Sequence, residues 1–469
     1  MTILIAGGGI AGLTLGLTLH QIGVPFHIYE ATAEIKPMGV GINLQPNAVR
    51  ELLDLDLADE LDAIGVKTQQ YGFYSKLGKT IWEEPRGTWA GYSWPQYSVH
   101  RGELQMMLYR VLLERAGPNC ITTGARASGL ENTETGATLL LADGRRINGD
   151  LVIAADGIHS ALRAQIAPNE GPPVWNGRIL WRATTRTKAM LGGAAMVMIG
   201  HDHVRLVAYP ISKPDENGIA TLNWIAEKSF DPSSPWKKED WNRAADINDF
   251  LPDFSDWKFD WIDVPALIKG ADVVYEYPMV DRDPLDQWTF GNMTLMGDAA
   301  HPTYPVGSNG ASQAILDGEA LADALSADMG VPAALEAYES ARLESTSRLV
   351  LANRQAGPER VMQWVEDRCD RTCRGQHTCV PTGDLYVSAV PPCPVPLSAV
   401  CRQNFIAGPG TNGENAWLLE QLPHGLAGGF IRQPRPPWQT SIQSRCRRFR
   451  ARYEYARVVL TRLHHHFVV

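Results

Sequence analysis

The strongest restriction on the fold is the pairing of TILIAGGGIAGLTL with VPFHIYE, residues 2–15 and 24–30. A short apolar run closed by glycines reads as a buried strand. Ile10 to about Ile22 reads as a helix stopped by Gly23, and the second stretch reads as another strand ending at Glu30. A strand–helix–strand unit this compact predicts a parallel sheet. Gly7, Gly9 and Gly12 carry the G-x-G-x-x-G spacing. The first glycine permits the tight turn, the second lets backbone approach a pyrophosphate, and the third lets helix and strand pack closely. The helix start then offers free N–H groups and a partial positive charge to the phosphates. A carboxylate at the strand end, Glu30, can accept both hydroxyls of an adenosine ribose. The unit specifies a dinucleotide and leaves NAD and FAD open.

A second glycine-bearing turn, GDAAHPTYPVGSNGASQAILD at 297–317, settles that choice. It follows the apolar strand MTLM, places Asp298 at its mouth, and leads into helices expected at Ser312–Leu325 and Pro332–Arg354. FAD needs such a second anchor for its ribitol chain and isoalloxazine ring; NAD does not. A carboxylate can bind a ribitol hydroxyl. The N–H groups of Gly307, Gly310 and Ala311 can face the ring edge where reduced flavin carries negative charge.

The remaining chain divides by composition. Residues 1–171 contain the first nucleotide-binding segment, a helix at His100–Leu113, and the hairpin-like ATLLLADGRRINGDLVIAADG. Residues 172–290 turn Trp- and Tyr-rich, with RLVAYPIS, IATLNWIAE and ADVVYEYPMV reading as strands of a separate sheet. Residues 291–365 return to the nucleotide-binding pattern and end in helices. The expected fold is therefore α/β: a Rossmann-like FAD-binding domain with an inserted mixed or antiparallel β-sheet substrate domain and C-terminal helices. Residues 380–469 have ten arginines, no lysine, four acidic residues and ten of the 31 prolines. Such a segment is expected to stay poorly ordered.

A net charge of −9 gives no basic footprint for nucleic acid. Seven cysteines in 469 residues make no disulfide framework and point to a reducing, cytoplasmic setting. The uncharged first 19 residues could be mistaken for a leader or anchor. They lack a basic start, are broken by Gly7, Gly8, Gly9 and Gly12, and run straight into a strand. No other stretch is long and apolar enough to span a bilayer.

GGGIAGL with its downstream Glu, AADGIHSALR (Ala154–Arg163) and GDAAHPTYPVGSNGASQAILDGEALADAL together resemble the single-component FAD-dependent aromatic hydroxylases, over roughly residues 1–365. RLVAYPIS, DWNRAADINDFLPDF and YEYPMVDRDPLDQWTFGNMTLMGD are most similar to the branch acting on a methylated phenazine carboxylate. The resemblance implies that Glu30 binds ribose, and that Gly9, Ala11 and Gly12 hug the pyrophosphate. It puts Gly39, Val40 and Gly41 beside the flavin and Arg101 at the phosphate and ribitol region. Asp298 would bind ribitol, and Asp156–Gly157 with Arg163 would serve both FAD and NAD(P)H. Tyr304 and Pro305 would wall the substrate pocket. The implied chemistry is reduction of the flavin by NADH or NADPH, addition of dioxygen at C4a, and transfer of the distal oxygen to an aromatic ring. No WxWxIP stretch of a flavin halogenase is present. The alternatives carried are a flavin reductase or oxidase without oxygen transfer and a non-catalytic flavin-binding protein. The sequence does not set the oligomeric state and leaves a homodimer open.

Several other residues invite roles. Arg182 could pair with a substrate carboxylate. Trp181, Tyr209 and Trp224 could form an aromatic cage, against a plain reading as core. His301 reads as a loop-orienting group ahead of a general base. Cys369, Cys373, His377 and Cys379 have zinc-ligand chemistry but not the usual finger spacing, so no metal is expected. Arg445–Arg452 could meet an acidic surface, and the histidines at 464–466 are too few for a purification tag.

Overall fold

The computed structural model describes residues 1–368 apart from 135, 232–243, 328, 356 and 358. The Arg/Pro-rich segment, the Cys369–Cys379 cluster, Arg445–Arg452 and the three histidines lie outside the described residues, as does the start of DWNRAADINDFLPDF.

The strand Ile3–Ala6 sits at the centre of a five-stranded parallel sheet. The order is Met293–Leu295, Leu151–Ala154, Ile3–Ala6, Phe26–Tyr29 and Ile121–Thr122. All four residues of the central strand are buried, as expected for a parallel strand covered on both faces. Helix Ile10–Gln21 follows it and packs against helices Arg101–Ala116 and Gly310–Leu325. The expected hairpin is an antiparallel meander, Ala127–Asn132, Ala137–Leu141 and Arg146–Gly149, that feeds Leu151–Ala154. Helix Gly310–Leu325 begins two residues before the expected Ser312, so Gly310 and Ala311 form its first turn. The last long helix spans Val331–Asn353.

The second sheet has seven strands: Tyr275–Asp281, Val174–Lys188, Ile219–Ser229, Val204–Pro210, Ala195–Gly200, Gln70–Tyr74 and Thr80–Pro85. It is mixed, because Ala195–Gly200 runs parallel to Gln70–Tyr74 while the other pairs are antiparallel. Its last two strands come from the segment placed above in 1–171. They carry no Trp/Tyr-rich signature longer than QYGFY, and their pairing partner lies more than a hundred residues away, so composition places the boundary elsewhere. Alternation sets the sheet's two faces. On Val204–Pro210, Leu206 and Ala208 enter a core with Trp224, Phe250 and Phe254, while Arg205, Val207 and Tyr209 face a cavity.

A small antiparallel sheet, Gly41–Leu44, Gln96–His100 and Gly65–Thr68, lies where the two larger sheets meet. The Gly41 N–H donates to Asn223 Oδ1 at 2.7 Å, and its carbonyl accepts from Arg182 Nη2 at 2.9 Å. A Cβ on Gly41 would lie 2.6 Å from the Asn223 side chain, so only glycine allows this approach.

Candidate active site

The first glycine loop is built for close contact. A Cβ on Gly12 would lie 2.0 Å from the Gly7 carbonyl oxygen, and one on Gly7 would lie 2.3 Å from that of Ala155. Gly7 also has φ +110°, a region that L side chains avoid. These two glycines therefore serve packing. Gly9 differs: nothing lies within 4 Å of an added Cβ, and with Ala11 it lines the cavity. Helix Ile10–Gln21 starts at Gly9 with no side-chain cap and no acidic residue in its first turn. Its leading N–H groups stay available to an anion. Glu30 stands beside them. One of its oxygens accepts the Gly8 N–H at 2.6 Å, and the other accepts from Thr32 N at 2.7 Å and Thr32 Oγ1 at 2.9 Å.

The second loop meets the same cavity from the far side. Asp298 occupies a short turn, Gly297–Ala299, and faces the cavity with Pro305, Gly307, Gly310 and Ala311. Helix Gly310–Leu325 also lacks a side-chain cap and an acidic first turn. Its start is tied to the small sheet: Gln45 Nε2 donates to the Gly307 carbonyl at 3.1 Å, and Ser312 Oγ accepts the Gln45 N–H at 3.0 Å. The turn bearing Asp298 is held from below by buried Arg163, which donates to the carbonyls of Ala299 at 2.9 Å and Ala300 at 2.7 Å. Two uncapped helix starts, an open Gly9 and a cavity-facing carboxylate fit the pyrophosphate, ribitol and ring of FAD.

Gly39, Val40 and Gly41 connect this cavity to Arg101. Val40 is buried, and its carbonyl accepts the Arg101 N–H at 2.9 Å. The Arg101 side chain passes 3.7 Å from where a Gly39 Cβ would lie. Gly41 and Arg101 both line the cavity. Asp156 is more recessed. One carboxylate oxygen accepts the Ala161 N–H at 2.9 Å, while the other is buried without a hydrogen-bond partner. Burial raises its pKa above the usual carboxylate range. Its neighbour Gly157 reaches the cavity wall.

The cavity, about 340 Å³, continues onto the seven-stranded sheet. Met196, Met198, Val207, Ile225 and Met279 make an apolar surface there, interrupted by Arg182, Arg205, Glu227 and Tyr209. Arg182 donates to Gly41 O, lies 5.9 Å from the Tyr277 ring centre, and leaves its Nε without a partner. Desolvation lowers its pKa, yet an arginine stays charged. Burial pushes Tyr209, which accepts a hydrogen bond from Arg182, up to about 12, so it remains a neutral hydroxyl.

Other expected residues go elsewhere. Tyr304 is not among the residues lining the cavity. Its hydroxyl bonds the buried carboxylate of Asp281, which Arg354 also holds at 2.7 and 3.0 Å. Pro305 alone of that pair lines the cavity. Trp181 and Trp224 are core: Trp181 stacks on Phe250 at 4.5 Å, and Trp224 Nε1 donates to Thr185 Oγ1 at 3.0 Å. His301 is buried against Asp317 at 2.6 Å and the Trp288 ring, where it fixes the loop. The ring of polar groups at the far end, Tyr71, Arg86, Arg205, Glu227 and Glu359, escapes sequence reading. Only the alternation of RLVAY, with Arg205 on the face of Val207 and Tyr209, could have pointed to it.

Comparison with known proteins adds a family and relatives. The FAD binding domain family matches residues 1–352. The phenazine 1,6-dicarboxylic acid hydroxylase PhzS of Lysobacter antibioticus is 41% identical over 362 residues, covering 75% of this chain and 89% of that one. The aurachin C monooxygenase/isomerase of Stigmatella aurantiaca is 31% identical over 367 residues, covering 78% and 90%. Among solved structures, Klebsiella pneumoniae HpxO complexed with FAD and uric acid superposes with a TM-score of 0.67 at 23% identity, covering 87% of this chain and 97% of that one. No helix among the described residues is long and apolar enough to cross a membrane.

Proposed function

Because this chain belongs to the FAD binding domain family and is an FAD-dependent monooxygenase, we propose that it hydroxylates a carboxylated heteroaromatic ring of the phenazine class, using NADH or NADPH and dioxygen. The observation that carries this reading is one continuous cavity. It has two uncapped helix starts and Asp298 at one end, and a methionine-rich face with the half-buried cation Arg182 beyond them.

FAD, when bound, supplies reduction by the nicotinamide and activation of dioxygen. The chain's residues do the rest. Glu30 takes the ribose hydroxyls, and the Gly9–Ala11 turn takes the pyrophosphate. Arg101 would lie along the phosphate and ribitol, Asp298 would take a ribitol hydroxyl, and the N–H groups of Gly307–Ala311 would stabilise the negative charge of the reduced ring. Gly157 borders the cofactor, while Asp156 holds the adjoining helix start. Arg182 receives the substrate carboxylate, and its unused Nε–H gives that contact a second donor. The neutral hydroxyl of Tyr209 orients the same group. Met196, Met198, Val207 and Met279 hold the flat ring and exclude water, which protects the reactive oxygen from futile release. No nucleophile or metal is needed for this chemistry.

The test is a screen of FAD-loaded protein against aromatic carboxylates, including phenazine carboxylates. It follows NADH and NADPH oxidation together with product mass. The expected result is oxidation stimulated by a phenazine carboxylate, with a product heavier by one oxygen atom. Stimulated oxidation that yields only hydrogen peroxide across the whole panel would favour an oxidase or reductase instead.

A further inference from the structure

Arg205 lies under the far end of the cavity and is 2% exposed. Its Nε donates to Glu227 Oε2 at 2.6 Å. Its Nη1 lies 3.5 Å from Glu359 Oε2 and, although buried, makes no hydrogen bond. Arg205, Glu227 and Glu359 all line the cavity. The neighbouring Arg86 is ion-paired with Glu84. Asp202 also acts on Arg205 through space. Each cation at this end therefore already has its own carboxylate, and Arg205 has two. Arg182 is the contrasting case: a backbone carbonyl, the Tyr209 hydroxyl and an aromatic face touch it, while Glu227 and Arg101 act on it only through space.

The register puts Arg182 opposite Ile225 and Arg205 opposite Glu227. Arg182 and Arg205 thus stand on the two strands that flank Ile219–Ser229, about 10 Å apart across the sheet and about 7 Å along it, a separation that one fused aromatic ring system and the two long side chains together bridge. Resting on the reading that the substrate is a carboxylated heteroaromatic, we infer that Arg205, Glu227 and Glu359 form a specificity filter that accepts a neutral acceptor on Arg205 Nη1 and rejects a second carboxylate. A ring nitrogen or carbonyl oxygen satisfies the orphaned N–H without adding charge. A carboxylate at the same place adds an uncompensated anion to a buried site where Glu227 and Glu359 already exceed Arg205, and such burial is strongly unfavourable.

Glu359 is the adjustable member of the set. Glu227 sits within a central strand, but Glu359 opens the helix Glu359–Arg368 and is that helix's cavity-lining residue. That helix is held by buried Met362, by Gln363 accepting the Asp202 N–H at 3.2 Å, and by an ion pair between Lys76 and Glu366. None of these contacts depends on the charge of Glu359. Glu359→Gln therefore removes the repulsion while leaving the helix its other anchors.

The experiment measures binding to FAD-loaded full-length protein by the perturbation of flavin absorbance. The probes are phenazine 1,6-dicarboxylic acid and its monocarboxylic analogue. The native protein should bind the monocarboxylate at least about tenfold more tightly, and Glu359→Gln should close most of that gap. Equal affinities in the native protein, or an undiminished gap in a Glu359→Gln protein that keeps its FAD, would overturn the filter while leaving the hydroxylase reading in place. If Glu359→Gln loses FAD, the native ratio alone decides. If neither phenazine binds the native protein, the heteroaromatic reading falls and the filter falls with it.

Discussion

At the scale of single residues, Glu30 and Arg182 carry separable jobs. Glu30 gathers the N–H groups of Gly8 and Thr32 and so shapes the loop in which it is proposed to bind a ribose. Glu30→Ala should weaken FAD binding by roughly 1.5–3 kcal/mol, the range for a hydrogen bond to a charged acceptor. Titrating apoprotein with FAD checks this, and an unchanged dissociation constant would mean the loop does not hold the adenosine end. Arg182→Met should leave FAD binding alone and raise KM for a carboxylated substrate by about ten- to a hundredfold. An equal rise for a substrate lacking the carboxylate would show that Arg182 acts through packing. The glycines of the first loop were legible because their constraint is local: spacing, turn and helix start lie within about a dozen residues. Arg205, Glu227 and Glu359 were not legible, because they meet only through strand register and a helix more than a hundred residues away. Tyr304 shows the opposite failure. Its motif neighbours reach the cavity, but the acid that captures its hydroxyl, Asp281, belongs to another strand.

At the scale of elements, Asp317 fastens three pieces together. Buried in helix Gly310–Leu325, it accepts the Gly297 N–H at 2.9 Å, His301 Nε2 at 2.6 Å and Arg342 Nε at 2.8 Å. It thereby joins the turn bearing Asp298 to both C-terminal helices. Burial alone would raise its pKa, but His301 and Arg342 outweigh that and hold it at about 2, below the ordinary 3.8. A depressed carboxylate stabilises the fold above its unfolded pKa, and that contribution is lost as pH falls from about 4 towards about 2. Asp317→Asn leaves Arg342 buried without its counter-charge and should cost about 3–5 kcal/mol. Urea unfolding from pH 7 down to pH 3 checks both statements. The native protein should lose stability in the acid limb, and the variant should be weaker at pH 7 with a flatter limb. A variant as stable as the native protein at pH 7 would remove Asp317 from this role. The two helices were readable in the sequence to within a few residues, whereas the buried ion cluster between them was not. A lone Asp in an apolar helix face reads equally well as a surface residue until the partner helix is placed.

At the scale of the whole molecule, both glycine loops follow strands of the parallel sheet, and the mixed sheet supplies the side chains that face them across the cavity. The two sheets were legible in the sequence, because the parallel strands are continuous apolar runs and several strands of the mixed sheet lie in a stretch rich in Trp and Tyr. The capture of Gln70–Tyr74 and Thr80–Pro85 by that sheet was not, since Gln70–Tyr74 pairs with Ala195–Gly200 more than a hundred residues away and Thr80–Pro85 is a largely exposed edge. Together the two sheets line one cavity that both glycine loops and the methionine-rich face border. The most direct test is the fate of the oxygen atoms when FAD-loaded protein turns over a phenazine carboxylate with NAD(P)H under isotopically labelled dioxygen. The account predicts one labelled atom in the hydroxylated ring and the other in water. A hydroxylated product whose new oxygen comes from solvent, or all the label recovered as hydrogen peroxide, would contradict it.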